Sequence, residues 1–444
     1  MRRKKRLLAL ALAIGGGLAT LSCGARASGF ALAEEGASGM GNAYAGGAAI
    51  ANDASTIFSN PAGMANLSGT QVALTLHAIW PSVKFDGTTN GAPPLQTSVG
   101  GTGGNAGSLA WVPNAQFMME IDPRLKFGLS LTSPFGLHTS YDPNWMGRFQ
   151  AITTKLKTIN LNPSFSYQLN DCVAVGAGLS YQQITGELSN AVNYSAAVYA
   201  AGGGAIAGKE GVLTLTGSDT GWGYNFGALF KLSPQTRIGL AYRSRIKYNL
   251  MGSLSFTNRP ALQSGPTGLP DGPVSLGLTM PDSFSASAFH RLSDKWDIMA
   301  DATWTDWSVL QQLAVQRLGA GTAISPIPEN WHDTWRISTG ADYHYNERWT
   351  ARAGVAYDQS PVPDLYRTVR TPDSDRTWLS LGGQYRLARE SALDFAYTHL
   401  FVNNAPVSQS AAVNTNLAAT GAGYLLGNYQ DSGDILSVQY THNL

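Results

Sequence analysis

The chain has 444 residues, a formal net charge of +1 and only 13% charged residues, about half of what soluble domains carry, while glycine reaches 50 residues and aromatics 10%. Low charge with abundant aromatics excludes a disordered chain, and the balanced charge excludes a nucleic-acid binder acting by bulk electrostatics. After the leader, no segment offers the roughly 18 consecutive apolar residues of a membrane helix.

The chain begins with Arg2-Arg3-Lys4-Lys5-Arg6, an apolar run from Leu7 to Leu21, and Ala25-Arg26-Ala27. A basic start, a short apolar core and a small-residue site spell a secretory signal peptide, residues 1–27, cut before Ser28. Cys23 is a poor lipidation site, because Thr20-Leu21-Ser22 lacks the small residues such a site needs. Cleavage leaves 24 basic against 29 acidic residues and a single cysteine, Cys172. An exported chain without an internal disulfide needs a large core or a closed sheet.

Residues 28–69 are rich in Gly and Ala and show little alternation. From residue 70 onward, two-residue alternation dominates. Trp296, Ile298, Ala300, Ala302 and Trp304 share one face, with Asp297, Asp301 and Thr303 on the other. Trp335–Tyr345 and Trp349–Asp358 repeat the pattern. Aliphatics between terminal aromatics, opposed by polar residues, mark membrane-spanning β-strands with an interfacial aromatic belt at each end.

Fourteen strands are predicted, at about 70–80, 110–121, 125–134, 156–168, 173–188, 221–232, 236–252, 282–292, 295–307, 333–345, 349–358, 376–387, 391–402 and 433–444. Short turns such as Asp122-Pro123 alternate with long loops near 81–109, 135–155, 189–220, 253–281, 308–332, 359–375 and 403–432. That rhythm fits an all-β, fourteen-stranded antiparallel transmembrane β-barrel (residues 70–444) in a Gram-negative outer membrane. So wide a barrel leaves a lumen, which the N-terminal plug, or hatch, of residues 28–69 is expected to fill.

Three runs carry a resemblance: Ser28-Gly29-Phe30, Gly39-Met40-Gly41-Asn42-Ala43-Tyr44, and the hatch motif Asn60-Pro61-Ala62-Gly63. With Thr132-Ser133-Pro134-Phe135-Gly136, Asn162-Pro163 and Trp304-Thr305-Asp306-Trp307 in order along the chain, the sequence resembles the FadL/TodX-type outer-membrane transporters of long-chain fatty acids and hydrocarbons. The resemblance implies a hatch-plugged barrel that passes hydrophobic molecules by passive diffusion, with a lateral exit beside the third strand. One departure is Leu444, where such barrels usually end in Phe.

Candidate ligand contacts are Val198 and Tyr199 in loop 189–220, Leu276 and Leu278 in loop 253–281 (with Leu262 and Leu269), Phe135, and the inward-facing Arg336 and Arg352. The two loops are expected to form a surface groove. Gly128 and Pro134 are lateral-gate candidates, because proline cannot donate to a ladder and glycine weakens one. Inward Arg243, Arg245, Arg336 and Arg352, with Asp297, Asp301, Asp342 and Asp358, are expected to tie hatch to barrel. Expected partners are fatty acid or hydrocarbon, outer-membrane lipid and lipopolysaccharide, with no nucleic acid and a monomeric barrel. No cofactor or metal is called for, and the seven histidines form no nucleophile or metal pattern. The alternatives are a general or small-solute porin and an outer-membrane lipase, whose only trace is His138-Thr139-Ser140.

Overall fold

The structure is a computed structural model that describes residues 28–89, 93–261, 270–319, 324, 326–410 and 421–444. The predicted leader with Cys23, and Leu262 and Leu269, lie outside the described residues. The wall comprises β1 (Thr70–Thr88), β2 (Ala110–Glu120), β3 in two pieces (Leu125–Thr132 and Gly136–Ser140), β4 (Thr153–Gln168), β5 (Val173–Asn193) and β6 (Glu210–Lys231). It continues with β7 (Thr236–Arg243 and Ile246–Phe256), β8 (Gly272–Met280 and Ser283–Arg291), β9 (Trp296–Thr305) and β10 (Thr334–His344). Then come β11 (Trp349–Asp358), β12 (Arg376–Arg386), β13 (Ser391–Val402) and β14 (Leu425–Asn443). Each strand pairs antiparallel with the next, and β14 pairs with β1 from Gln71↔Asn443 to Thr88↔Leu426. Leu444 donates its backbone N–H to Thr70 O at 2.7 Å, so the last residue closes the ring. Closure satisfies backbone groups that lipid cannot.

All fourteen predicted strands are present, and several run past their expected ends. β5 spans 21 residues and β6 spans 22, about twice what a tilted strand needs to cross a membrane. The surplus lies beyond the apolar band, where outward positions become Lys84, Asp86, Thr216 and Ser218. Two-sided polar strand loses the contrast that alternation reveals. Strand consequently reaches into loops 189–220 and 253–281, as far as Asn193 and from Glu210 in the first, as far as Phe256 and from Gly272 in the second. What remains of the first is a helix, α1 (Tyr194–Ala200), and a turn.

Outward aromatics pair across neighbouring strands at two levels. Tyr181↔Trp222 and Trp304↔Trp335 lie toward the long loops. Trp296↔Tyr343 and Trp349↔Tyr385 lie near the short turns, with ring centroids 4.7 and 4.6 Å apart. Amphipathic rings suit both membrane interfaces.

Residues 28–67 sit inside the ring. They contain two helical turns, α2 (Ala37–Met40) and α3 (Thr56–Ser59), and a 3₁₀ segment, Pro61–Asn66. Their small side chains let the backbone lie against the wall. A Cβ on Gly239 would sit 2.0 Å from Ala48 O, and one on Gly354 would sit 2.2 Å from the Asn42 carbonyl carbon. Asn60 Oδ1 accepts from Ala62 N at 3.0 Å, while its Nδ2 donates to Ala48 O and to wall residue Ala228 O at 2.7 and 3.0 Å. Proline follows at the first helical position, where its missing N–H costs nothing. Ala43, Tyr44 and Ala51 hold positive φ without being glycine, a conformation kept only where packing over-determines it.

Candidate functional site

In the outer half of the lumen, Phe30 of the hatch enters an aromatic box. Its ring lies 4.8 Å from Trp307, 5.5 Å from Trp331 and 6.1 Å from Phe135, and Trp307 and Trp331 are 5.1 Å apart. Edge-on and tilted contacts of this kind suit the ring quadrupoles. Ile184, Ile246, Leu250, Leu278 and Met280 surround the box. Farther out, Leu254, Val274 and Val315 form a second apolar cluster with half-buried Leu213, Leu215 and Phe256. Leu276 packs against both clusters.

Beneath the box lies a cavity of about 240 Å³ between hatch and wall. Phe135 and Trp307 border it, as do Glu35, Asn42, Arg243 and Arg336. The hatch carboxyls of Glu34 and Glu35 are 1% and 6% exposed, and no oxygen of either side chain has a hydrogen-bond partner. Burial pushes the Glu34 carboxyl up to about 7. Burial also lifts Glu35 well above the ordinary carboxylate range, with Arg243 the main opposing charge.

Among the described residues, no ion pair crosses from hatch to wall, so the expected hatch-to-barrel salt-bridge network is corrected. The wall charges satisfy one another. Arg352 pairs with Asp342 at 3.4 Å and with Asp394, Arg336 lies 3.7 Å from Asp301, and Arg376 lies 3.8 Å from Asp358. Arg245 bridges Asp282 and Asp306, and Asp297 takes His344 and Arg291. The reason is in the composition: residues 28–69 contain three acidic residues and no Lys or Arg. The wall grips hatch carbonyls instead. Arg237 donates to Ala49 O and Ile50 O at 3.1 and 2.7 Å, Arg243 to Phe58 O at 2.8 Å, and Asn114 to Glu34 O at 2.6 Å.

The remaining candidates separate. Leu276 and Leu278 belong to strand β8, not to a loop, and both join apolar clusters. Val198 is a buried residue of α1 and its neighbour Tyr199 is 63% exposed; among the described residues neither joins those clusters. Arg352 is fully committed to carboxylates, whereas Arg336 keeps one Nη1 without a partner. Gly128 is paired on both sides, with Met118 and Ser164, and its missing side chain makes room for Met64 and Ile57 of the hatch. It therefore lies in intact wall. Pro134 marks the real break. There β3 leaves its ladder, and the hatch takes over: Leu32 N donates to Pro134 O at 2.8 Å and Gly136 N to Phe30 O at 2.9 Å.

The break reaches the neighbouring strand. β2 pairs with β3 only from Ala115↔Leu131 to Glu120↔Lys126. Above that point, Ala110–Asn114 pair with β1 alone. Ser140 N to Ala106 O at 3.0 Å and Ser108 Oγ with His138 Nδ1 at 2.8 Å bound the gap from outside. His138 is thereby placed at the rim of a wall gap, beside Ser108.

Residues 18–444 match the family model described as outer membrane protein transport protein (OMPP1/FadL/TodX). The chain belongs to the OMPP1/FadL/TodX family. A long-chain fatty acid transport protein of Salmonella typhi is 31% identical over 418 residues, covering 91% of this chain and 93% of the relative. Outer membrane protein P1 of Haemophilus influenzae is 30% identical over 433 residues, covering 89% of each. A crystal structure of a Pseudomonas aeruginosa FadL homologue superposes with a TM-score of 0.85 at 31% identity, covering 94% of this chain and 99% of the other. The toluene transporter TodX of P. putida shares the fold, with a TM-score of 0.66 at 20% identity over 88% and 94%. As a FadL/TodX-family member the chain is an outer-membrane transport protein, not an enzyme.

The aromatic box itself escapes the sequence reading. Trp307 stands at a strand end, Trp331 in a loop, and Phe30 in the hatch, so no periodicity links them. The one visible signal is two tryptophans bracketing loop 308–332 of an exported chain.

Proposed function

We propose that the protein admits long-chain fatty acids or related hydrocarbons from the cell surface by passive diffusion. The observation that carries this reading is Leu276, which packs against both the outer apolar cluster and the aromatic box. A greasy chain leaving water gains about 25 cal/mol per Å² of buried apolar surface, and a continuous apolar lane supplies that gain at every step. Relatives that are 30–31% identical carry the name long-chain fatty acid transport protein, which favours the fatty-acid member of the class.

Capture occurs at the inner faces of extended β6, β7 and β8. Passage continues along Leu276 and Leu278 to the box, where Phe30 must yield. Exit is sideways through the unpaired stretch between Ala110–Asn114 and Gly136–Ser140, the break that Phe30–Leu32 bridges. The polar floor of the lumen gives an apolar solute no comparable path.

Leu276→Asp tests the lane. A charge there is expected to weaken binding of a fluorescent long-chain fatty acid by at least tenfold (about 1.4 kcal/mol) in barrels that stay heat-modifiable on gels. Unchanged binding would sink the lane. A porin reading predicts high single-channel conductance in planar bilayers; the hatch-filled lumen predicts little.

A further inference from the structure

We infer that Glu35 and Arg243 form a head-group site for a ligand carboxyl, Glu35 donating a hydrogen bond and Arg243 supplying the counter-charge. This rests on the fatty-acid reading and names the part of the substrate that the cavity recognises.

Three observations carry it. Glu35 is 6% exposed, borders the 240 Å³ cavity, and has no partner on either carboxyl oxygen. A buried polar group without a partner is costly, and native structures keep one where a ligand or a reaction uses it. Arg243 borders the same cavity. It donates to Phe58 O at 2.8 Å and Ser180 Oγ at 3.3 Å and lies 3.9 Å over the Phe58 ring, with no carboxylate within 4.0 Å among the described residues. The other arginines at the cavity, Arg336 and Arg352, already face Asp301, Asp342 and Asp394. The third observation is position: Phe135 and Trp307 border the cavity as well as the box, so a chain lying in the box presents its end group here.

The electrostatics agree. Glu34 on the same segment adds a like charge to the burial of Glu35, and only Arg243 from β7 opposes them. Asp53, Asp301, Asp342 and Asp358 around the cavity are no source of positive charge, Arg352 is held by Asp342 and Asp394, and Arg336 lies against Asp301 and acts on Glu34, not on Glu35. Burial and the like charge favour the protonated form of Glu35, which can donate to an incoming carboxylate that Arg243 neutralises. Ionised Glu35 would repel the same ligand. Affinity for a fatty acid then falls as pH rises, and affinity for its ester does not.

The experiment uses the purified mature barrel in detergent, with decanoate and methyl decanoate as probes at pH 6 and pH 9. Glu35→Ala is expected to weaken decanoate binding about tenfold and to change methyl decanoate less than twofold. Glu35→Gln keeps a donor, so it should hold decanoate within about threefold of wild type and lose the pH dependence. Wild-type decanoate binding that Glu35→Ala leaves untouched overturns the head-group site alone, as does an equal loss of both probes in a folded variant. Failure of the wild type to bind either probe overturns the transport reading and this site with it.

Discussion

The two halves of the lumen are built on opposite chemistry. Toward the outside, the inner faces of β5 to β8 carry Ile184, Tyr248, Leu250, Leu278 and Met280 around the aromatic box. Toward the short turns, the same barrel turns inward Asp342, Arg352, Asp394, Asp297 and His344, paired with one another. A second cavity there, about 450 Å³, is lined by Arg291, Arg386, Arg389 and Glu390 beside Asn52 and Asp53 of the hatch. Buried charges are tolerated best with partners, so the lower half is lined by mutually paired groups, while the Phe30 ring fills the upper half. One wall thus presents an apolar interior at one end and an ionic interior at the other.

Breaking a lower pair should have the largest effect. Arg352→Ala leaves Asp342 and Asp394, 3% and 0% exposed, without their shared cation. We expect a loss of about 3–5 kcal/mol in denaturant unfolding. Affinity for the uncharged methyl decanoate in the upper lane should move less than twofold, which sharpens the division. In the upper half, Leu278→Ala removes a 6%-exposed side chain from the aromatic cluster. It should cost about 2–4 kcal/mol by the same measurement and weaken ligand binding as well, which Arg352→Ala should not.

A smaller, graded effect concerns Glu329 in the outer loops. It accepts from Trp331 Nε1 at 3.0 Å, and burial pushes it up to about 8. Its folded-state value exceeds the unfolded one, near 4.5, so the folded state binds the extra proton between those pH values. The stabilisation is present in full below about 4.5 and is lost as pH rises through about 8. Thermal unfolding should lose up to about 1.4 kcal/mol per pH unit across that window, and Glu329→Gln should flatten the slope. A slope that survives the substitution would assign it elsewhere and weaken the contrast between an acid-bearing top and a salt-paired floor.

Much of the wall was legible because lipid on one side and a polar lumen on the other impose a period of two. Trp296 to Trp304 and Trp349 to Tyr357 read correctly for that reason. Above the membrane that contrast ends, and Leu276 and Leu278 were read as loop although they stand in β8. Pro134 was legible as a ladder break, since proline lacks the N–H; Gly128 was misleading, since an absent side chain can serve packing as well as flexibility. The arginine and aspartate roles could not be apportioned from alternation, which tells inward from outward but not which inward neighbour is met. Glu35 had no signal at all, because its meaning lies in partners it lacks.

The hatch meets the wall in two manners, with a mechanical consequence. At Gly239 and Gly354 main chain touches main chain with no clearance for even one methyl, and Asn60 locks both sides together. Residues 42–62 are thus keyed into their seat like a bolt in a milled slot and cannot slide as a piston. Ser28 to Leu32 are held differently, by single hydrogen bonds to Gln359, Asp373, Pro134 and Gly136 and by the buried side chains of Phe30 and Leu32. What give the plug has therefore lies ahead of that bolt, where side chains and single hydrogen bonds, not interlocked main chain, make the contact.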